Sequence, residues 1–182
     1  MERVFPDTNV LYPISLADLI LRLGDVAFHQ VVWSEDLLAE VERVLTKHKG
    51  LPAAKATYFC DCVRDAFPEG EIRRADYEHL IETMTGGDAN DHPHAAAACA
   101  AATVLLTFNV SDFPADDVGD VRVVNPDDYL VEAVNDEPLT VLNVIRDMGA
   151  QRREHQTVEQ TLTALERAGC KQFAALARAM IT

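Results

Sequence analysis

Ala95-Ala-Ala-Ala-Cys-Ala-Ala-Ala102 runs directly into Thr103-Val-Leu-Leu-Thr107, and this join decides the fold. The alanine run reads as a helix, and the unbroken apolar segment after it as a strand buried on both faces, the signature of a parallel sheet. Working outward, Arg3-Val-Phe-Pro6 is a short strand candidate ending at Asp7, and Val26 to Trp33 is a second, rich in β-branched and aromatic residues. A last strand is expected near Val121-Arg-Val-Val124. Between them lie helical patterns: Leu16 to Leu23, a helix capped by Ser34 and running to about His48, then Pro52 to Ala66 and Asp76 to Met84. Three more follow near Asp127 to Val134, Pro138 to Met148 and Thr157 to Met180, the last broken at Gly169. Strands alternating with helices predict an α/β fold, a three-layer α/β/α sandwich with a central parallel sheet. In such sheets ligands gather beyond the carboxyl ends of the strands, so polar residues just after strands carry the most information.

Composition narrows the function. The chain has 182 residues, with 16 Lys and Arg against 30 Asp and Glu, for a formal charge of −14. Its apolar stretches are interrupted well short of the ~20 residues that span a bilayer. The start Met-Glu-Arg-Val-Phe-Pro-Asp lacks the basic and apolar regions of a secretory signal, so the expectation is a cytoplasmic protein. Cys60, Cys62, Cys99 and Cys170 are too few and too scattered for a disulfide framework, and Cys60-Asp-Cys62 is no zinc spacing. The acidic balance argues against indiscriminate nucleic-acid binding, which needs Lys and Arg. It leaves room for a nuclease whose carboxylates are offset by metal ions. Residues 92 to 145 hold nine acids and one base, whereas residues 146 to 182 hold six bases and four acids, so the C-terminal end is the less repulsive to a polyanion.

Three acids stand where the fold would gather them. Asp7 follows the first strand, Asp112 lies in Thr107-Phe-Asn-Val-Ser-Asp-Phe113 after the third, and Asp91 precedes the alanine helix in Asp88-Ala-Asn-Asp91-His-Pro-His94. Singly, each has a bland explanation, since Asp after a strand bonds its own turn and Asp before a helix caps it. Jointly, they can converge over one sheet edge. Carboxylates ~4 Å apart repel by several kcal/mol at an effective dielectric near 20, so a convergent cluster needs a cation or protons. Oxygen-only ligands favour Mg²⁺ or Mn²⁺ over zinc. The helix after Ser34 offers a fourth acid, Glu40 or Glu42. They flank its apolar stripe of Leu37, Leu38, Val41, Val44 and Leu45 equally, and periodicity does not choose between them.

Four blocks, namely Asp7-Thr-Asn-Val-Leu11, Ser34-Glu-Asp-Leu-Leu-Ala-Glu-Val-Glu-Arg-Val-Leu45, Asp88-Ala-Asn-Asp91 and Thr107-Phe-Asn-Val-Ser-Asp-Phe113, resemble in order and spacing the PIN-domain ribonucleases. The resemblance spans residues 1 to about 125. The tail from Asp127 to Thr182 resembles the helical extension of a longer subgroup related to VapC-type toxins. It implies a PIN-like core over residues 1–125, with a helical extension over 126–182 packed on the same domain. It further implies that Asp7, Glu40, Asp91 and Asp112 form an acidic Mg²⁺ or Mn²⁺ site for cleaving RNA, with Thr107 lining it. Glu40 takes precedence over Glu42 because it occupies the family's place, three residues after Leu37. Implied partners are an RNA substrate, a second copy of the chain joined through helices, and a small antitoxin protein whose basic or aromatic segment fills the acidic groove.

Two departures stand out. Many PIN domains carry an acid two residues after the equivalent of Thr107, where this chain has Asn109. Pro6 cannot donate to a sheet ladder and fits best at a strand end. The chemistry needs no histidine nucleophile, so His92 and His94 are expected at the site's margin at most. Asn109 and the −14 charge also motivate an alternative, a non-catalytic PIN-like module that binds a protein partner. A dehalogenase-type phosphatase would want an acid at position 9, and Asn9 argues against it.

Overall fold

The computed structural model describes residues 1–86, 88–150 and 156–181. The chain divides into two compact units, Met1–Tyr12 with His29–Val124, and Pro13–Phe28 with Asn125–Thr182.

The first unit holds the sheet. Its strands are β1 (Arg3–Pro6), β2 (Gln30–Val31), β3 (Val104–Leu106) and β4 (Arg122–Val124), ordered β2-β1-β3-β4 and parallel throughout. This is an α/β architecture compatible with the expected sandwich. Val104, Leu105 and Leu106 are all buried, as their unbroken apolar run predicts for a central strand. Pro6 is the last residue of β1, opposite Leu106. Val32 donates its N–H to Val4 O, so β1 residues of even number face β2, and that ladder stops at Val31. Pro6 therefore lies beyond the last β1–β2 pair, Val4 with Val31, where proline is tolerated.

Around the sheet run α1 (Thr8–Leu11), α3 (Glu35–Lys47), α4 (Ala53–Ala66), α5 (Arg74–Ile81), α6 (His92–Ala101) and the short α7 (Ala115–Val118); α2 (Ile14–Asp25) belongs to the second unit. Ser34 caps α3 as expected, its hydroxyl accepting the Leu37 N–H at 3.2 Å. Leu37, Leu38, Val41 and Leu45 form the buried stripe of α3. In α6, Ala95 to Ala98 are buried, and side chains this small let the helix backbone approach its neighbours closely. A β-carbon on Gly70 would lie 2.1 Å from Val31 O, so only glycine lets the Phe67–Gly70 turn reach Trp33, whose N–H donates to Gly70 O at 2.9 Å.

The strand expected over Val26–Trp33 shrinks to Gln30–Val31. Val26 to Phe28 instead close the preceding helix, with Val26 N–H donating to Arg22 O and Phe28 N–H to Leu23 O, and Ala27 turning left-handed at φ 58°. Backbone bonding of the helix end prevails here over the β propensity of the side chains.

The second unit is helical: α2 (Ile14–Asp25), α8 (Pro126–Asp136), α9 (Pro138–Ala150), α10 (Val158–Arg167) and α11 (Lys171–Ile181). Its core includes Leu16, Leu19, Ile20, Leu130, Val134, Ile145, Leu162, Leu165 and Phe173, all buried. Thr157 and Gln160 form a reciprocal capping box on α10. The Asp127 carboxylate accepts N–H bonds from Gln172 and Phe173 at 3.0 and 2.8 Å, capping α11 from α8. No helix among the described residues is long and apolar enough to cross a membrane.

Candidate functional site

Parallel register sets the first contact of the site. Pro6 stands opposite Leu106, so the next residues, Asp7 and Thr107, leave the sheet side by side, and the Thr107 hydroxyl donates to Asp7 Oδ2 at 2.8 Å. Asp7 also caps α1, accepting the Thr8 N–H at 2.7 Å on Oδ1. Asn9 binds both strand ends: its amide nitrogen donates to Asp7 Oδ2 at 2.6 Å and to Thr107 Oγ at 2.9 Å, while its oxygen accepts the Phe108 N–H at 3.1 Å. Thr107 Oγ further accepts the Asn109 N–H at 3.0 Å. At 4% exposure, Asp7 is a buried carboxylate with several donors trained on it.

The counter-charge comes from α6. His94, buried at 2% exposure, places Nδ1 3.3 Å from Asp7 Oδ1 and Nε2 3.0 Å from Glu40 Oε2. Burial works against its charge, but the two carboxylates outweigh burial and push its pKa up to about 9, so the ring is an imidazolium at neutral pH. Glu40 is held below the usual carboxylate range by the His94 hydrogen bond, against burial, with Arg43 contributing through a 2.7 Å ion pair. The Thr8 hydroxyl completes its surroundings at 3.4 Å. Glu42 projects the other way, accepting a hydrogen bond from Thr57 on α4. Of the two acids that periodicity left equal, Glu40 is the one turned toward Asp7.

Asp91 occupies the N-cap position of α6, yet its side chain makes no capping bond. Burial first, and then the charge of Asp7, raise its pKa to about 6; His94 opposes the rise, and Asp88 and Asp112 add to it. The bland reading of Asp91 as a helix cap is thus set aside by the geometry. Asp112 lies half-buried in a 3₁₀ turn, Val110–Asp112, with a weak 3.4 Å contact from Ser111. A cleft of about 290 Å³ opens on the side of Glu40 and His94, lined also by Asp36, Arg43, Asn90 and Pro93 among others.

The structure therefore joins Asp7 and Glu40 directly through His94 and brings Asp91 within electrostatic range of Asp7 and Asp112. Among the described residues, no three His, Cys, Asp or Glu side chains stand together at metal-ligating distances. The donor chemistry still suits a hard divalent ion. Among the described residues the Asp91 carboxylate has no hydrogen-bond partner, and its charge is disfavoured by burial and by Asp7, Asp88 and Asp112, a surplus that a cation would relieve. Sequence reasoning placed His94 at the margin and missed its part. The available signal was its position three residues after Asp91, which puts both on one face of the first turn of α6.

No curated protein matches the chain. No solved structure matches it either. Residues 126–179, covering α8 to most of α11, are similar to a family model described as the VapC50 C-terminal domain.

Proposed function

We propose that the protein is a divalent-metal-dependent endoribonuclease of the VapC type, the toxin of a toxin–antitoxin pair. The observation that carries this reading is the convergence of Asp7, beyond the end of β1, and Glu40 on His94, with Asp91 in electrostatic range of Asp7 and Asp112 and a cleft lined by Glu40 and His94. The match of residues 126–179 to a VapC50 C-terminal domain supports it independently of the acids.

Asp7, Asp91 and Asp112 are the residues that would hold Mg²⁺ or Mn²⁺; Glu40 would join them by exchanging part of its bonding to His94 and Arg43. When bound there, the ion supplies Lewis-acid polarisation of a phosphodiester and a more acidic water. The chain's own groups supply the rest. Thr107, Asn9 and the Thr8 N–H fix the Asp7 carboxylate before substrate arrives. Arg43, on the cleft wall and paired with Glu40, would offer a positive charge to a phosphate there. RNA as substrate, a basic antitoxin segment in the cleft and pairing of two copies belong to the same proposal.

The test is cleavage of a structured RNA by the purified chain in Mg²⁺ or Mn²⁺, compared with Asp7→Asn. Cleavage lost in the variant supports the reading; equal cleavage by the two removes Asp7 from the chemistry.

One observation favours a second reading. The His94 imidazolium already offsets part of the charge of Asp7 and Glu40, and Arg43 pairs with Glu40 as well, as they would in a PIN-like binding module that needs no metal. Such a module would show no stabilisation by Mn²⁺ and no RNA cleavage.

A further inference from the structure

We propose that Asp117 is a positioning residue, which holds the Thr85–Gly86 peptide as a staple between the helix bearing Asp91 and the turn bearing Asp112, and so sets the spacing of those two acids. The proposal rests on the reading of Asp91 and Asp112 as metal-holding groups and adds what orients them.

Asp117 lies on α7, five residues after Asp112, and is 6% exposed despite its charge. Its carboxylate is consumed by one dipeptide. Oδ1 accepts the Thr85 hydroxyl at 2.8 Å and the Thr85 N–H at 2.9 Å, while Oδ2 accepts the N–H groups of Thr85 and Gly86 at 2.7 and 2.8 Å. Two successive backbone N–H groups and a hydroxyl around one carboxylate make a charge-assisted grip, stronger than neutral hydrogen bonds of the same number.

The gripped peptide touches both acid-bearing segments. Gly86 packs so closely on the Asp112 backbone that a β-carbon there would lie 2.5 Å from Asp112 O. On its other side, His92 Nε2 donates to Gly86 O at 2.9 Å, and His92 is the residue next to Asp91. One peptide therefore meets the Asp112 turn through van der Waals contact and the start of α6 through a hydrogen bond. Asp117 keeps that peptide in place without touching either acid. Groups that orient metal-holding residues from behind typically change metal affinity by about 10–100-fold when removed.

The experiment is Mn²⁺ titration of the full chain at 25 °C, read by calorimetry on protein shown folded by circular dichroism. The unaltered chain is compared with Asp117→Asn, Gly86→Ala, Thr85→Val and Asp116→Asn. Asp116 is an exposed neighbour on α7, so its variant removes the same charge without the grip. The proposal expects half-saturation about tenfold weaker in Asp117→Asn and in Gly86→Ala, a smaller weakening in Thr85→Val, and no change in Asp116→Asn. A folded Asp117→Asn that binds Mn²⁺ like the unaltered chain overturns it, as does Asp116→Asn weakening binding equally. If Asp117→Asn does not fold, Gly86→Ala and Thr85→Val decide the matter by the same criterion. Absence of Mn²⁺ binding in the unaltered chain instead overturns the metal reading itself, and the staple's role with it.

Discussion

His94 Nε2 stands 3.0 Å from Glu40 Oε2, joining the first turn of α6 to the middle of α3. With Nδ1 at 3.3 Å from Asp7, the ring makes one buried cation shared by two acids that come from different elements, the end of β1 and the middle of α3. A buried charge that loses its partner is costly, so this ring holds the site together as much as it neutralises it.

His94→Gln should therefore destabilise the metal-free protein by about 3 kcal/mol, because Asp7 and Glu40 would face each other without the cation between them. Urea unfolding at pH 7 measures it. A change within ~0.5 kcal/mol would show that the imidazolium is dispensable.

The same ring sets a pH dependence. His94 keeps its proton to about pH 9 when folded, against 6.5 unfolded, so in that window the folded chain binds more protons. Stability from this group is complete below pH 6.5 and is lost as pH rises through about 9. Asp91 acts in the same direction lower down, since its folded pKa of about 6 lies above the ordinary 3.8, and stability falls as it ionises. Metal-free thermal unfolding at pH 6.5 and 9 should show a lower midpoint at pH 9, with the difference much reduced in His94→Gln.

Thr107→Val removes a donor to Asp7 and an acceptor for Asn9 and Asn109 while keeping the shape of the side chain. The expected loss is about 1–3 kcal/mol, the cost of leaving buried polar groups unpaired. Denaturant midpoints at equal slope test it, and an unchanged midpoint would mean that water replaces the hydroxyl without penalty.

In the helical unit, Asp127→Ala leaves the Gln172 and Phe173 N–H groups at the start of α11 uncapped. A cost of about 1–2 kcal/mol follows, seen as faster amide exchange in α11 than in α10.

Much of this organisation is legible in the chain. An acid directly after a short strand, as at Asp7, is placed by topology alone, and the alanine helix feeding Val104–Leu106 announces a central parallel strand. What stays hidden depends on partners from elsewhere. Glu40 and Glu42 are equivalent by periodicity, and only the arrival of α6 on one flank and α4 on the other separates them. His94 looks peripheral until two distant acids converge on it. Asp117 looks like a solvated acid in Ala115-Asp-Asp-Val118, because the Thr85–Gly86 peptide that buries it lies some thirty residues upstream. Val26–Phe28 has the composition of a strand, but the end of α2 needs its backbone first.

The most direct test of the acid cluster is thermal unfolding of the chain and of Asp91→Asn, with and without Mn²⁺. Binding at a hundredfold excess over Kd contributes about 2.7 kcal/mol, which for a chain of this size raises the midpoint by about 5–10 °C. The account predicts that rise in the unaltered chain and its loss in Asp91→Asn. A midpoint indifferent to Mn²⁺, or an equal rise in both proteins, would contradict it.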